Sequence, residues 1–244
     1  MQALIAGNWK TNLLGAEAEA LARAVVEHCD DQRVCVMPPA LYADRVGQAL
    51  SGSKVNLGLQ DVSESGMGAT TGDICAQQVA DIGARYVLVG HSERRQRQGE
   101  TSEWVAKKAV AAIESGVTPI VCVGESLSDR EAGDHERVVL EQLAPAVDAI
   151  EAGQPWVVAY EPVWAIGTGK TASADQAQAM HAVIRGCLAA ADMGNTQILY
   201  GGSVNAANAN ELAACPDVNG ALVGGAALNI EAFTVIVKAF TEQS

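Results

Sequence analysis

The 244-residue sequence predicts an α/β chain whose parallel strands close into a (β/α)8 barrel. Three observations lead there. Short β-rich runs alternate with longer Ala-, Glu- and Gln-rich stretches, and repeated β-then-α order implies parallel strands joined by crossover helices. Several of the short runs are apolar throughout, as in Tyr86-Val87-Leu88-Val89 and Ile120-Val121-Cys122-Val123, which is the pattern of strands covered on both faces. Roughly eight such units fill a length typical of one closed barrel, about 250 residues. No Pro/Ser-rich linker or charge block divides the chain, so residues 1–244 read as one domain.

Taken in order, the expected strands are Leu4–Gly7, Arg33–Met37, Val55–Gln60, Tyr86–Gly90, Pro119–Gly124, Trp156–Glu161, Ile198–Gly202 and Ala221–Gly224. The main helical stretches between them are Ala16–Glu27, Trp104–Glu114, Glu136–Ile150 and Asp175–Ala191. One connection differs from the rest. Asp61–Asp73 is long, polar and Gly-rich, and loops of that length in a compact domain usually carry a function. Trp104 and Trp156 are expected to pack, and His28, His135 and His181 to be solvated or to cap helices.

Composition narrows the partners. Sixteen Lys and Arg against 29 Asp and Glu give a net charge of −13, which argues against nucleic acid. The apolar runs fall well short of the roughly 18 residues of a membrane span. The N-terminus has no basic stretch before its apolar residues, so no signal peptide and a cytoplasmic location are expected. Six cysteines form no C-x-x-C pair and no metal-ligand spacing with histidine, and read as reduced, mostly buried thiols. Neither a metal nor an organic cofactor is expected.

Barrels of this kind place their chemistry at the C-terminal ends of the strands. There the sequence delivers Asn8 and Lys10 after the first strand, His91 after the fourth, Glu161 after the sixth, Ser203 after the seventh and Gly224-Gly225 after the eighth. Each is unremarkable alone; their convergence on one face is the signal. Gly224-Gly225 precedes a short helical stretch, so free N–H groups there favour an anion. His91 precedes Ser92-Glu93-Arg94-Arg95, the start of a helix, whose positive end pushes the imidazole toward its neutral form. Lys10 puts a fixed positive charge where negative charge develops. After Glu161, stiff Pro162-Val163-Trp164 runs into small Ala165-Ile166-Gly167-Thr168-Gly169 and then Lys170-Thr171-Ala172, a sequence suited to a lid on two hinges.

The motifs Asn8-Trp9-Lys10, Gly90-His91-Ser92-Glu93-Arg94-Arg95, Ala159–Gly169, Tyr200–Val204 and Val223–Ala226, in this order and spacing, resemble those of the triosephosphate isomerase family over essentially the whole chain. The resemblance implies a TIM barrel that interconverts dihydroxyacetone phosphate and D-glyceraldehyde 3-phosphate, without a cofactor, in glycolysis and gluconeogenesis. It implies that Glu161 removes a carbon-bound proton, that His91 polarises the carbonyl and that Asn8 and Lys10 stabilise an enediolate. Gly167, Ser203, Gly224 and Gly225 would hold the phosphate through N–H groups. Glu93 would pair with Lys10, and Cys122 would support Glu161 from behind. It also implies a homodimer in which the Asp61–Asp73 loop enters the partner, with Thr71 helping to position the neighbour's Asn and Lys. Two loop positions depart from the family pattern: Thr70 stands in place of an aromatic, and Asp61 in place of the commoner Asn. Two rival readings are another phosphate-binding barrel enzyme acting on a larger substrate, which would not need the Glu161 lid or the Asn8–Lys10 pair, and a catalytically inert protein on the same fold.

Overall fold

The computed structural model describes residues 1–166 and 171–243. Eight strands, β1 (Leu4–Asn8), β2 (Val34–Met37), β3 (Asn56–Leu59), β4 (Tyr86–Val89), β5 (Thr118–Val123), β6 (Val157–Tyr160), β7 (Gln197–Tyr200) and β8 (Gly220–Val223), pair in sequence order. The ring closes where β1 meets β8, with Gly7 opposite Val223, and every pairing is parallel. All eight expected strands are present, with ends shifted by a residue or two. The long helices Gly15–Cys29, Ser102–Glu114, His135–Ala149, Ala174–Ala190 and Ile230–Thr241 alternate with the strands.

Strand period sets the two cores. Alternate side chains point inward, so Leu4, Ala6, Met37, Leu88, Ile120 and Leu199 fill the barrel, while Ile5, Val36, Val87, Val121 and Ile198 face the helices. Both sets are buried, which explains the continuous apolar runs in the sequence. Local chemistry fixes the helix starts. Ser173 accepts the N–H of Gln176, and the side chain of Gln176 returns to the Ser173 N–H, a capping box that opens Ala174–Ala190. Thr101 and Asn229 cap Ser102–Glu114 and Ile230–Thr241 in the same way, by accepting the N–H groups of Trp104 and Ala232.

Two packing expectations need correction. Trp156 is buried, but Trp104 is 37% exposed. It lies in the first turn of its helix beside the Asp61–Asp73 loop, where its indole Nε1 donates to Glu64 at 2.7 Å. His181 is neither solvated nor a cap. It belongs to the helical stripe Ala177-Met180-His181-Ile184-Leu188 that turns inward, and it is fully buried. Its ring stands edge-on to Tyr160, with centroids 5.8 Å apart. Its Nδ1 lies 3.1 Å from the carbonyl of Asp217, an atom that only accepts, so Nδ1 carries the proton, and Nε2 has no hydrogen-bond partner among the described residues. Burial pushes its pKa down to about 4. His28 is exposed, and His135 is half-buried at the start of its helix. All six thiols are free.

Candidate active site

A cavity of about 500 Å³ opens at the C-terminal ends of the strands. Asn8, Lys10, His91, Glu161, Ser203, Gly224 and Gly225 all line it. Ile166 lines it too. The lid residues Gly167, Thr168, Gly169 and Lys170 lie outside the described residues. Thr171 is exposed and Ala172 buried where the chain re-enters. Thr71 is exposed on its loop and is no part of this cavity.

Glu161 follows β6 and is almost wholly buried, at 2% exposure. Gly124 lets it sit there, because a Cβ at that position would overlap the Glu161 carbonyl. The two carboxylate oxygens are occupied from β4 and the turn that follows it. Oε1 lies 3.0 Å from His91 Nε2, and Oε2 accepts the N–H of Ser92 at 2.9 Å. His91 is the residue before the helix Ser92–Gln98, and its Nδ1 accepts the N–H of Glu93 at 3.2 Å. A ring nitrogen that accepts carries no proton, so the ring hydrogen is on Nε2, facing Glu161. Two influences oppose each other at this ring. Burial lowers its pKa, but the Glu161 carboxylate outweighs burial, and the pKa stands above its ordinary value. The helix start alone therefore does not set its charge, because the neighbouring carboxylate pulls the other way.

Lys10 reaches the same space from β1. Its Nζ is 2.6 Å from Glu93 Oε1. Burial works against the Glu93 charge, yet the bonded Lys10 holds its pKa below the usual range. Cys122, on β5 behind Glu161, has no solvent exposure. Burial, and then the charge of Glu161, push its thiol well above its ordinary pKa, which removes it as a nucleophile.

Sequence reasoning overlooked Glu125, the residue after Gly124 on the fifth strand end. It is fully buried, and its Oε1 gathers Tyr160 Oη at 3.1 Å, Trp164 Nε1 at 2.8 Å and Arg130 Nη1 at 3.0 Å. Its carbonyl accepts the N–H of Val163. Glu125 thus ties down the short 3-10 turn Val163–Ala165 that carries the first part of the lid segment. The signal that could have found it is the one used for Glu161: a carboxylate at a strand end on the face where the others converge.

What the arrangement can do follows from its parts. A buried carboxylate stands against an imidazole, an ammonium enters from the turn after β1, and the turns after β7 and β8 bring Ser203, Gly224 and Gly225 to the same cavity. That set suits removal of a proton next to a carbonyl in a small anionic substrate. No group of metal-ligating side chains is present among the described residues. None of the described helices is long and apolar enough to cross a membrane.

Residues 3–240 match the family model described as Triosephosphate isomerase. The triosephosphate isomerase of Paracidovorax citrulli is 51% identical over 244 residues, covering 97% of both chains. That of Thiobacillus denitrificans is 51% identical over 241 residues, with 97% of both chains covered, and that of Delftia acidovorans is 50% identical over 242 residues, with 97% and 98% covered.

Proposed function

The chain belongs to the triosephosphate isomerase family, and on that premise we propose how its residues interconvert dihydroxyacetone phosphate and D-glyceraldehyde 3-phosphate. It is an isomerase of triose phosphates. The observation that carries the residue roles is the Glu161–His91 contact at 3.0 Å within the cavity that Lys10 also lines.

Glu161 is the base. Substrate replaces His91 and the Ser92 N–H as the partner of its carboxylate, which then takes a proton from the carbon beside the carbonyl and returns it to the adjacent carbon. His91, freed from Glu161, turns its Nε2–H to the substrate oxygens, polarises the carbonyl and moves protons between the two oxygens. Loss of the Glu161 neighbour leaves burial and the Lys10 charge favouring the neutral ring, with the Glu93 carboxylate opposing them. Asn8 and Lys10 stabilise the negative enediolate, and Glu93 keeps the Lys10 ammonium in place. The phosphate rests on the N–H groups of Ser203, Gly224 and Gly225, joined by Gly167 from the lid. A chain with a net charge of −13 has no general attraction for phosphate, so the anion site depends on these local donors and Lys10. Lid closure excludes water, and it holds the phosphate in the enediolate plane so that phosphate is not eliminated.

The Asp61–Asp73 loop joins two copies of the chain, and Thr71 reaches the neighbouring subunit's pocket. Large apolar side chains support this. Leu14, Leu41 and Met67 are 69, 83 and 78% exposed on the connections that follow the adjacent strands β1, β2 and β3. An apolar surface of that kind is what a second copy would cover. We place the protein in the cytoplasm. A coupled assay run in both directions tests the activity: turnover of both triose phosphates is expected, and turnover of neither overturns the proposal.

A further inference from the structure

Lys10 adopts a backbone conformation that its side chain disfavours. Its φ is +51°, in the left-handed region, where residues with a Cβ cost about 1–2 kcal/mol. Such a residue persists only where its surroundings over-determine it. The Lys10 N–H is fixed by Asn8 Oδ1 at 2.9 Å. The carbonyl is fixed by a residue far away in sequence: Gln60 Nε2 donates to Lys10 O at 2.7 Å and to Met37 O at 2.9 Å. Both acceptors are carbonyls, so only the amide NH2 can face them, and its two hydrogens are fully used. Gln60 therefore clamps the turn after β1 to the end of β2 from its own place just beyond β3.

We propose that Gln60 is a positioning residue for the isomerase reaction, holding the strained Lys10 backbone so that its ammonium points into the active site. The inference rests on the role proposed above for Lys10. The clamp matters because the ammonium hangs on a long flexible side chain, whose direction is set at Cα. Glu93 grips the far end at 2.6 Å, but Glu93 is on another element and half-exposed, so it holds the tip without fixing the base. If the carbonyl loses its donor, the chain relaxes toward negative φ and the Cα–Cβ vector turns away from the cavity. Gln60 also immediately precedes Asp61, the first residue of the long loop after β3. The same side chain thereby links the root of that loop to Lys10.

The test is a double-mutant cycle on the full chain with Gln60→Met, Lys10→Met and the pair, read as kcat/KM for glyceraldehyde 3-phosphate. Gln60→Met keeps the volume and removes both donors, and a loss of about tenfold is expected. In the Lys10→Met background the same change is expected to cost less than about twofold, because the group being positioned is gone. Equal losses in both backgrounds, or no loss in either, would overturn the proposal, since a merely structural glutamine acts the same with or without the lysine. If Lys10→Met itself leaves activity intact, the role of Lys10 fails instead, and the two failures are thus separable. Should Gln60→Met not fold, Gln60→Glu replaces it in the cycle. It has the same shape but turns a carboxylate toward two carbonyls, and the same non-additivity is expected.

Discussion

Glu161 Oε1 lies 3.0 Å from His91 Nε2, with both side chains nearly removed from solvent. On the roles proposed above, the base and the group that polarises the carbonyl face each other until a substrate separates them. Their reach is therefore set by side-chain length. Shortening the base by one methylene in Glu161→Asp withdraws the carboxylate by about the length of one bond. Turnover should fall by about a hundredfold or more, with little change in KM. Steady-state kinetics check this, and near-normal turnover would remove Glu161 from its role.

Much of this site was legible in the sequence, for a physical reason. Lys10, His91 and Glu161 stand at strand ends, and a barrel brings all strand ends to one face, so chain order alone places them together. Glu125 stood at a strand end too, but its role depends on Tyr160 Oη, Trp164 Nε1 and Arg130 converging on one oxygen, and no spacing encodes that. His181 was readable from the helical stripe it shares with Met180 and Ile184, yet a histidine's polarity argued for solvent and was the weaker guide. Gln60 was invisible, because its importance lies in the φ of a residue fifty positions away.

His181 should make the fold sensitive to acid. Its pKa in the folded chain is about 4, against an ordinary value of 6.5. Between those values the unfolded chain binds the proton and the folded one does not. Stability from this group is therefore complete above about pH 6.5 and is lost as pH falls toward 4, up to about 3 kcal/mol in all. Urea unfolding at pH 7 and pH 5 should show a smaller loss for His181→Gln than for the parent, by about 2 kcal/mol. Equal losses would show that His181 is not buried in its neutral form.

The lid root offers a separate test. Trp164 donates to Glu125 at 2.8 Å, and Arg130 lies 5.3 Å from the centre of its ring. Trp164→Phe keeps an aromatic over Arg130 and deletes the donor, at a cost of about 1 kcal/mol. Because that bond holds the turn Val163–Ala165 from which the proposed lid continues, kcat and KM should change together, by a few-fold each. A change confined to stability would limit Glu125 to a structural role.

Beneath the Asp61–Asp73 loop, Lys108 is shared by Asp61 at 2.9 Å and Glu100 at 2.6 Å, and Arg94 joins both acids. Glu100 and Lys108 have almost no exposure. Burial, only partly offset by Lys108, holds the Asp61 pKa above its ordinary value, so the folded chain takes up this proton more readily than the unfolded one. The Asp61 charge therefore works against folding at neutral pH, and the opposition fades as pH drops through its folded value toward 3.8. Asp61→Asn should then leave stability at pH 7 within about 1 kcal/mol of the parent, since the amide oxygen still accepts from Lys108. Lys108→Met leaves the buried Glu100 and the partly buried Asp61 with Arg94 alone and should cost about 3–5 kcal/mol. Denaturant melts of the two variants compare them directly.

The exposed Met67 at the tip of that loop gives the assembly its most direct test. If a second copy covers it, a charge there must be buried without a partner on association, which opposes pairing by several kcal/mol. Met67→Asp should therefore sediment as a single chain at micromolar concentration where the parent sediments as two. In the unpaired chain Thr71 no longer meets a neighbouring subunit, so kcat/KM should fall together with the mass. A Met67→Asp protein that stays paired, or a parent that is a single chain with full activity, would refute the assignment of this loop to the interface.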